Sequence, residues 1–189
     1  MTDIDEQTEK EIAKGLRGKD NSAMHSFYTI YARMLTAVCA RYIQDDDDVK
    51  DVLQEALIKV FTRADSFTYK GRGSLSAWAV RIVVNQSLMF LRGKRFEEPM
   101  PEYELPDIAD NEELDINDIS PGIIQEMIRQ LPDGYRTVFN LYVFEDNTHK
   151  DIAKKLGIKE SSSASQLLRA KKILKRKIKD YRKKGGVGL

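Results

Sequence analysis

The stretch THKDIAKKLGI, residues 148–158, decides the fold of this 189-residue chain. Thr148 and Asp151 have the spacing of a helix start, in which a hydroxyl and an acid three residues later each bond a backbone N–H group of the other. Gly157 stands where that helix must end in a left-handed conformation, which glycine adopts without strain. A second helix is expected to begin near Glu160. The stretch therefore predicts a helix–turn–helix.

The second helix of this motif is expected to have two unlike faces. Its inward, apolar positions are Leu167, Leu168, Ala170, Ile173 and Leu174. Its other face carries hydroxyl, amide and cationic groups, which bond to phosphates and base edges in the major groove of DNA. A helical hairpin with a glycine corner and a solvated basic face has the same pattern and stays open at this point. The candidate DNA contacts of the motif are Thr148, Lys150, Ser161, Ser162, Ser165, Gln166, Arg169 and Lys172.

Charge is distributed unevenly along the chain. The formal net charge is +1, which by itself predicts no partner. Residues 97–118 contain ten acids and no lysine or arginine, whereas residues 169–184 contain ten cations and one aspartate. If about five of these cations contact phosphates, log K is expected to fall with log salt with a slope of about −4 to −5. One hypothesis for the acidic stretch is that it repels DNA when the protein is free.

Few side chains are suited to metal binding or catalysis. Cys39 is the single cysteine and only His25 and His149 accompany it, so neither a disulfide within the chain, nor a metal site, nor a cofactor is expected. The N-terminus is acidic and polar, unlike a signal peptide. The most apolar helix is interrupted by Arg81 and Asn85, so no membrane insertion is expected. A cytoplasmic location is the resulting prediction.

The rest of the sequence has helical periodicity and no strand alternation. Prolines and a lack of periodicity mark residues 97–120 as a linker. We therefore predict an all-α fold class, with two small helical domains, residues 1–96 and 121–189, joined by a flexible acidic linker, residues 97–120. The C-terminal domain contains the helix–turn–helix. Further helices are expected near residues 6–16, from Asn21 or Ser22, from the acidic run 45–48, from Ser74, and from Ser120 with Pro121.

Three segments carry a family resemblance. The first is DVLQEA at residues 51–56, and the second is GSLSAW at residues 73–78. The third begins with Leu131 and Pro132 and leads into the helix–turn–helix. In this order and spacing they resemble bacterial RNA polymerase sigma factors of the extracytoplasmic-function (ECF) subfamily. The resemblance covers about residues 22–177 except for the linker.

A polar stripe runs along the helix that begins in the acidic run 45–48, opposite its apolar side. A solvated helix face explains such a stripe equally well when only the residues are considered. The resemblance implies instead that the stripe binds the clamp helices of the largest subunit of core RNA polymerase. The members of this polar stripe are Asp48, Asp51, Gln54, Glu55 and Ile58.

A second candidate site combines a glycine-rich loop, residues 67–73, with the helix after it. Glycines let a backbone approach an unstacked base, and cations hold a single strand. The resemblance implies that this site recognises and melts the promoter element near the start site. Trp78 is expected in the core, and for Asn85 a packing role stays open. The members of this start-proximal surface are Lys70, Arg72, Arg81, Asn85 and Arg92.

Several positions depart from the family pattern. Met89 stands where relatives often have an acid, which puts one internal ion pair in doubt. Ser163 falls where many helix–turn–helix motifs place a branched apolar residue against the first helix. Gln166 replaces a common arginine, and we expect it to take a bidentate contact with adenine.

The resemblance implies a dissociable sigma factor that binds core RNA polymerase and promoter DNA. It would be no enzyme, because the polymerase would supply the chemistry, and an anti-sigma protein, often membrane-anchored, would hold it inactive. The N-terminal domain would bind polymerase and the start-proximal element, and the C-terminal domain the upstream element. One alternative is an operator-binding regulator that acts without polymerase, which would need a symmetric dimer. A second is a protein-interaction module whose basic face is only solvated.

Overall fold

The computed structural model describes residues 4–94 and 118–186. Within these ranges the chain is helical and contains no strand, which confirms the predicted all-α fold class. The chain divides into two compact units, Met1–Lys94 and Arg95–Leu189. Residues 97–117 of the predicted flexible linker, residues 97–120, lie outside the described residues. The flexibility of the linker therefore stays a prediction.

Aspartates start the helices of the first unit, because a carboxylate bonds the free N–H groups of a first turn. Asp5 accepts from the Thr8 N–H at 2.9 Å. Asp20 accepts from the Ser22 N–H at 2.9 Å, so the prediction that Asn21 or Ser22 caps this helix is wrong. The described helices of this unit are α1 Glu6–Arg17, α2 Asn21–Ala40, α3 Asp46–Thr62 and α4 Ser74–Lys94, with a 3₁₀ turn, Ala64–Ser66, after α3.

The core of the first unit lies where the four helices meet. The Phe27 ring packs 4.9 Å from Tyr31 and 5.8 Å from Phe61, measured between centroids. Gly15 lies inside α1, near its end. A Cβ atom there would lie 2.4 Å from the Ala23 Cβ, so glycine lets α1 and α2 approach closely.

The segment Ser74–Gly93 of α4 is long and apolar enough to cross a membrane by length and composition alone. In the structure 44% of its most apolar stretch is buried, and α4 packs against α2 and α3. The apolar composition of α4 is thus accounted for by its place in the core. That this chain does not insert in a membrane stays a prediction.

The second unit consists, over its described part, of four helices that enclose the side chains of Met127, Leu141, Ile152 and Leu174. The helix α6 packs on α8, and α7 packs on α8 across the glycine corner. Ser120 occupies the N-cap position of α5, as predicted, but its side chain makes no capping hydrogen bond. The four helices are α5 Pro121–Arg129, α6 Asp133–Val143, α7 His149–Leu156 and α8 Glu160–Lys183.

A buried arginine fixes the turn between α5 and α6. The Arg136 side chain is 1% exposed and donates to the carbonyls of Arg129 and Leu131, both at 2.9 Å. It also donates to Asp133 Oδ1 at 2.6 Å. Burial lowers the pKa of the Arg136 guanidinium, an effect that the Asp133 carboxylate opposes. These bonds satisfy carbonyls that the end of α5 leaves without a helical partner.

Candidate nucleic-acid and protein interfaces

The helix–turn–helix has the predicted geometry. Thr148 and Asp151 form a capping box, with the Asp151 N–H 3.2 Å from Thr148 Oγ1. The hydrogen bond from the Thr148 hydroxyl holds the pKa of Asp151 below its usual value. Gly157 ends α7 with φ 68° and ψ 33°, the left-handed conformation that the sequence predicted. α8 begins at Glu160, three residues after Gly157, and its first turns lie beside α7.

The exposed face of α8 differs from the predicted one at two positions. Gln166, predicted to contact DNA, is buried, and Leu168, predicted to pack inward, is 39% exposed. Both errors have one cause: the buried side of α8 follows Ser163, Gln166, Leu167 and Ala170, a stripe that an apolar pattern alone does not identify. Among the predicted contacts that are exposed or half-buried are Thr148, Lys150, Ser161, Ser162, Ser165, Arg169 and Lys172.

A polar contact joins the two helices of the motif. His149 Nδ1 lies 3.0 Å from Ser163 Oγ, and the Ser163 side chain is fully buried. The Tyr142 ring stacks on His149 with centroids 4.9 Å apart. A serine thus replaces the usual apolar residue because His149 supplies it with a hydrogen-bond partner. The serine was visible in the sequence, but its partner lies 14 residues away and follows only from the packing of α7 on α8.

On α3 the polar stripe is outward, as its spacing predicted. Asp51, Gln54 and Glu55 are exposed, Asp48 is half-buried, and Ile58 is 54% exposed. Ile58 is thus an exposed apolar side chain among the polar and acidic members of this stripe.

Hydrogen bonds join the polar stripe of α3 to α4 at Glu55. Gln86, which is buried, donates to Glu55 and accepts from Lys59. A glutamine that bonds both an acid and a cation fixes their side chains, so Glu55 is held in place.

The start-proximal surface is formed by the loop and by one face of α4. Arg81, Asn85 and Arg92 are exposed at helical spacing, so they share a face of α4. Lys70 and Arg72 are exposed in the loop that precedes it. The structure therefore brings all five predicted residues to two adjacent elements.

The loop between the 3₁₀ turn and α4 has an unusual backbone. Gly71 and Gly73 have φ values of 111° and 84°, which side chains rarely adopt. Ser74, predicted to cap α4, accepts instead from the Lys70 N–H at 3.1 Å and so closes the loop. Trp78, predicted to lie in the core, is only half-buried, with its ring 5.0 Å from the buried Phe67 ring.

A residue that was not among the predicted site residues bonds this loop. Glu9 on α1 is 1% exposed, and its carboxylate accepts from the Gly73 N–H at 2.6 Å and the Leu75 N–H at 3.0 Å. A signal for it existed: Glu9 shares the apolar face of α1 with Ile12, Ala13 and Leu16. An acid on an apolar face needs a buried partner.

Within the described residues, no group of three or more His, Cys, Asp or Glu side chains could hold a metal ion. Cys39 is buried with its sulfur 3.6 Å from Ser87 Oγ, and burial raises the pKa of its thiol. His25 is exposed on α2.

Two family models match this chain. The model described as Sigma-70 region 2 matches residues 27–97, and the model described as Sigma-70, region 4 matches residues 122–174. The first match includes the polar stripe and the start-proximal surface, and the second includes the helix–turn–helix.

Curated relatives have the same domain extent. The chain is 26% identical over 188 residues to the ECF RNA polymerase sigma factor SigW of Bacillus subtilis, covering 90% of this chain and 95% of that protein. It is 24% identical over 186 residues to the RNA polymerase sigma-H factor of Pseudomonas aeruginosa, covering 90% and 94%. The solved structure of CnrH in complex with the cytosolic domain of CnrY resembles this fold, with a TM-score of 0.50, 16% identity, and coverage of 92% of this chain and 98% of that one.

The chain belongs to the sigma-70 family, as a sigma factor of the ECF subfamily. Its function is to direct RNA polymerase to promoters at the initiation of transcription. The match to both regions does not favour an operator-binding regulator that acts without polymerase, because such a regulator would leave region 2 without a role.

Proposed function

We propose that residues 1–96 bind core RNA polymerase and the start-proximal promoter element, and that residues 121–189 bind the upstream element as duplex DNA. Residues 97–120 connect them, so each weak contact is strengthened by the other. One observation supports this division: each unit has its own exposed set of cationic and polar side chains, on the α4 face in one and on α7 and α8 in the other.

Core polymerase binds the polar stripe of α3 through the clamp helices of its largest subunit. Asp51, Gln54 and Glu55 pair there with cationic and amide groups, and Ile58 supplies the apolar contact. Exposed charges of this kind set orientation and association rate more than affinity. Ile58 is therefore the member expected to contribute most to affinity.

The start-proximal surface holds the melted strand. Lys70 and Arg72 lie in a loop whose glycines allow a base to approach the backbone, while Arg81, Asn85 and Arg92 bind the strand along α4. The upstream element is read by α8 in the major groove, with Thr148 and Lys150 on the neighbouring phosphates. Gln166 is removed from this set because it is buried.

The chain supplies no chemistry of its own and acts in the cytoplasm, where the polymerase is. An anti-sigma protein, possibly membrane-anchored, holds it inactive. Support for such a partner comes from the solved structure of CnrH in complex with the cytosolic domain of CnrY, in which a chain that shares this fold is bound by a second protein.

Transcription from fragmented host DNA by core polymerase, with and without this protein, tests the function. The expected result is a set of new discrete RNA 5′ ends that share two upstream sequence blocks. Absence of new ends, with folded protein and with core polymerase active on another sigma factor, would sink the proposal.

Variants then test the division between the units. Asp51→Ala with Ile58→Ala is expected to weaken core binding at every promoter, while Arg81→Ala reduces opening and Arg169→Ala reduces only upstream binding. Asp65→Ala is the matched control, since Asp65 is exposed on the 3₁₀ turn, outside all three surfaces.

A further inference from the structure

Four hydrogen bonds join α1 to the loop of residues 67–73 and to the start of α4. Glu9 accepts from the N–H groups of Gly73 and Leu75. The Arg17 guanidinium donates to the Phe67 carbonyl at 2.5 Å. The Tyr69 hydroxyl donates to the Glu6 carbonyl at 3.3 Å. One helix thus holds both ends of the loop and its middle.

The Glu9 contact performs the task of a helix cap from a distant part of the chain. The first N–H groups of a helix have no helical partner and are usually bonded by a residue next in sequence. Here the Ser74 hydroxyl, the nearest candidate, is already engaged as an acceptor with the Lys70 N–H. The carboxylate of Glu9, 64 residues from Gly73, takes its place. A buried carboxylate with two N–H donors at the positive end of a helix is a strong and directional anchor.

The loop needs such an anchor. Gly71 and Gly73 both adopt left-handed φ values, and an added Cβ would meet nothing within 4 Å at either position. Glycine also has more backbone freedom to lose than any other residue. Two hydrogen bonds within this part of the chain, from the Lys70 N–H to Ser74 Oγ and from the Ser74 N–H to the Gly71 carbonyl, both at 3.1 Å, close the loop on itself. The hydrogen bonds from α1 add the contacts that hold the closed loop against the rest of the unit.

The helix α1, Glu6–Arg17, lies before the residues matched by the region 2 model, which begin at position 27. We propose that α1 is a latch for the start-proximal loop, and that Glu9 is a positioning residue for single-stranded promoter recognition. It acts by presenting Lys70 and Arg72 in one fixed loop conformation. This inference rests on the proposed role of the start-proximal surface.

The test uses holoenzyme reconstituted from core polymerase and the full chain. Its probe is a promoter found by start mapping, prepared as a fork with the start-proximal element single-stranded. Glu9→Gln keeps the shape of the side chain but leaves one acceptor where two are needed, and it is expected to lower fork affinity about tenfold. Glu9→Asp, which keeps the charge, is expected to recover part of that affinity. Upstream duplex affinity and core affinity should stay within about twofold.

Glu11→Gln is the matched control, because Glu11 is exposed on the same helix and accepts only from Gln7. A residue that only stabilised the unit would lower fork binding and core binding together. Base preference at the single-stranded positions is the second readout, since a displaced loop changes which bases are favoured. Equal fork affinity and base preference in Glu9→Gln and the unaltered protein would overturn the latch.

Glu9→Gln could fail to fold, which thermal melting would reveal. Tyr69→Phe and Arg17→Gln then carry the test, because each removes one exposed or half-buried contact to the loop. A selective loss of fork affinity in either supports the latch, and no loss in both overturns it. Arg72→Ala separates the two hypotheses. If it also leaves fork binding unchanged, the start-proximal surface itself is wrong, whereas a loss only in Arg72→Ala rejects the latch alone.

Discussion

Gln166 illustrates how much a single residue's burial changes a functional reading. In the sequence it lies one position from Ser165, and both were predicted to contact DNA. In the structure Ser165 is exposed and donates to the Ser162 carbonyl at 3.0 Å, while Gln166 faces the interior. Its Oε1 has no hydrogen-bond partner among the described residues. An unpaired buried oxygen costs stability and contributes nothing to base recognition.

Gln166→Met is accordingly expected to leave the upstream base preference unchanged. The free energy of unfolding should stay the same or rise by up to about 2 kcal/mol, because the unpaired oxygen is replaced by an apolar group of similar size. Selection of upstream sequences from a random pool measures the preference, and urea unfolding measures stability. Ser165→Ala is the comparison and should weaken or alter the preference. Loss of adenine preference in Gln166→Met would restore the original prediction.

A comparison of Gly157 with Gly122 distinguishes the effect of backbone conformation from the effect of the space available to a side chain. A Cβ at either position would meet nothing within 4 Å, but only Gly157 has a positive φ, 68°. Gly157→Ala is expected to lower the free energy of unfolding by about 1 to 2 kcal/mol, the strain of a left-handed alanine. Gly122→Ala, inside α5, should instead stabilise by a few tenths to about 1 kcal/mol. Equal effects in thermal or urea unfolding would contradict the left-handed corner.

At the scale of elements, α8 differs along its length. Its first turns carry the residues proposed to face DNA, and its last turns are bonded to the rest of the unit. Lys177 Nζ donates to Gln130 Oε1 at 2.6 Å, and the Arg182 guanidinium donates to both carboxylate oxygens of Asp118. The helix continues to Lys183, nine residues beyond the match to region 4 at position 174.

The salt dependence of upstream DNA binding should differ between the two parts of α8. Replacing Lys171 and Lys172 by glutamine is expected to make the slope of log K against log salt less steep by about 2, since each phosphate contact contributes about 0.9. The same replacement at Lys183 and Lys184 is the control and should leave the slope unchanged. Equal effects of both pairs would mean that the cations act only through net charge.

At the scale of the whole molecule, opposite charges lie in different segments of one chain. Replacing the nine acids of residues 97–115 by their amides raises the net charge by nine but leaves Asp118 and its bond to Arg182 in place. Affinity of the free protein for duplex DNA at low salt is expected to rise on the order of tenfold, because repulsion from phosphates is removed. A fluorescence anisotropy titration measures it, with a scrambled but equally charged segment as control. Unchanged affinity would refute the repulsion hypothesis.

The sequence by itself determined the helices, the glycine corner and the outward polar stripe. These depend on local rules: the period of an α-helix, the capping box of Thr148 and Asp151, and the left-handed preference of glycine at position 157. Only the tertiary structure decided that Gln166 is buried and that Ser163 is paired with His149. The same holds for Glu9, whose partners lie more than sixty residues away. The physical reason is that burial and long-range hydrogen bonds depend on how helices pack, which no local pattern contains.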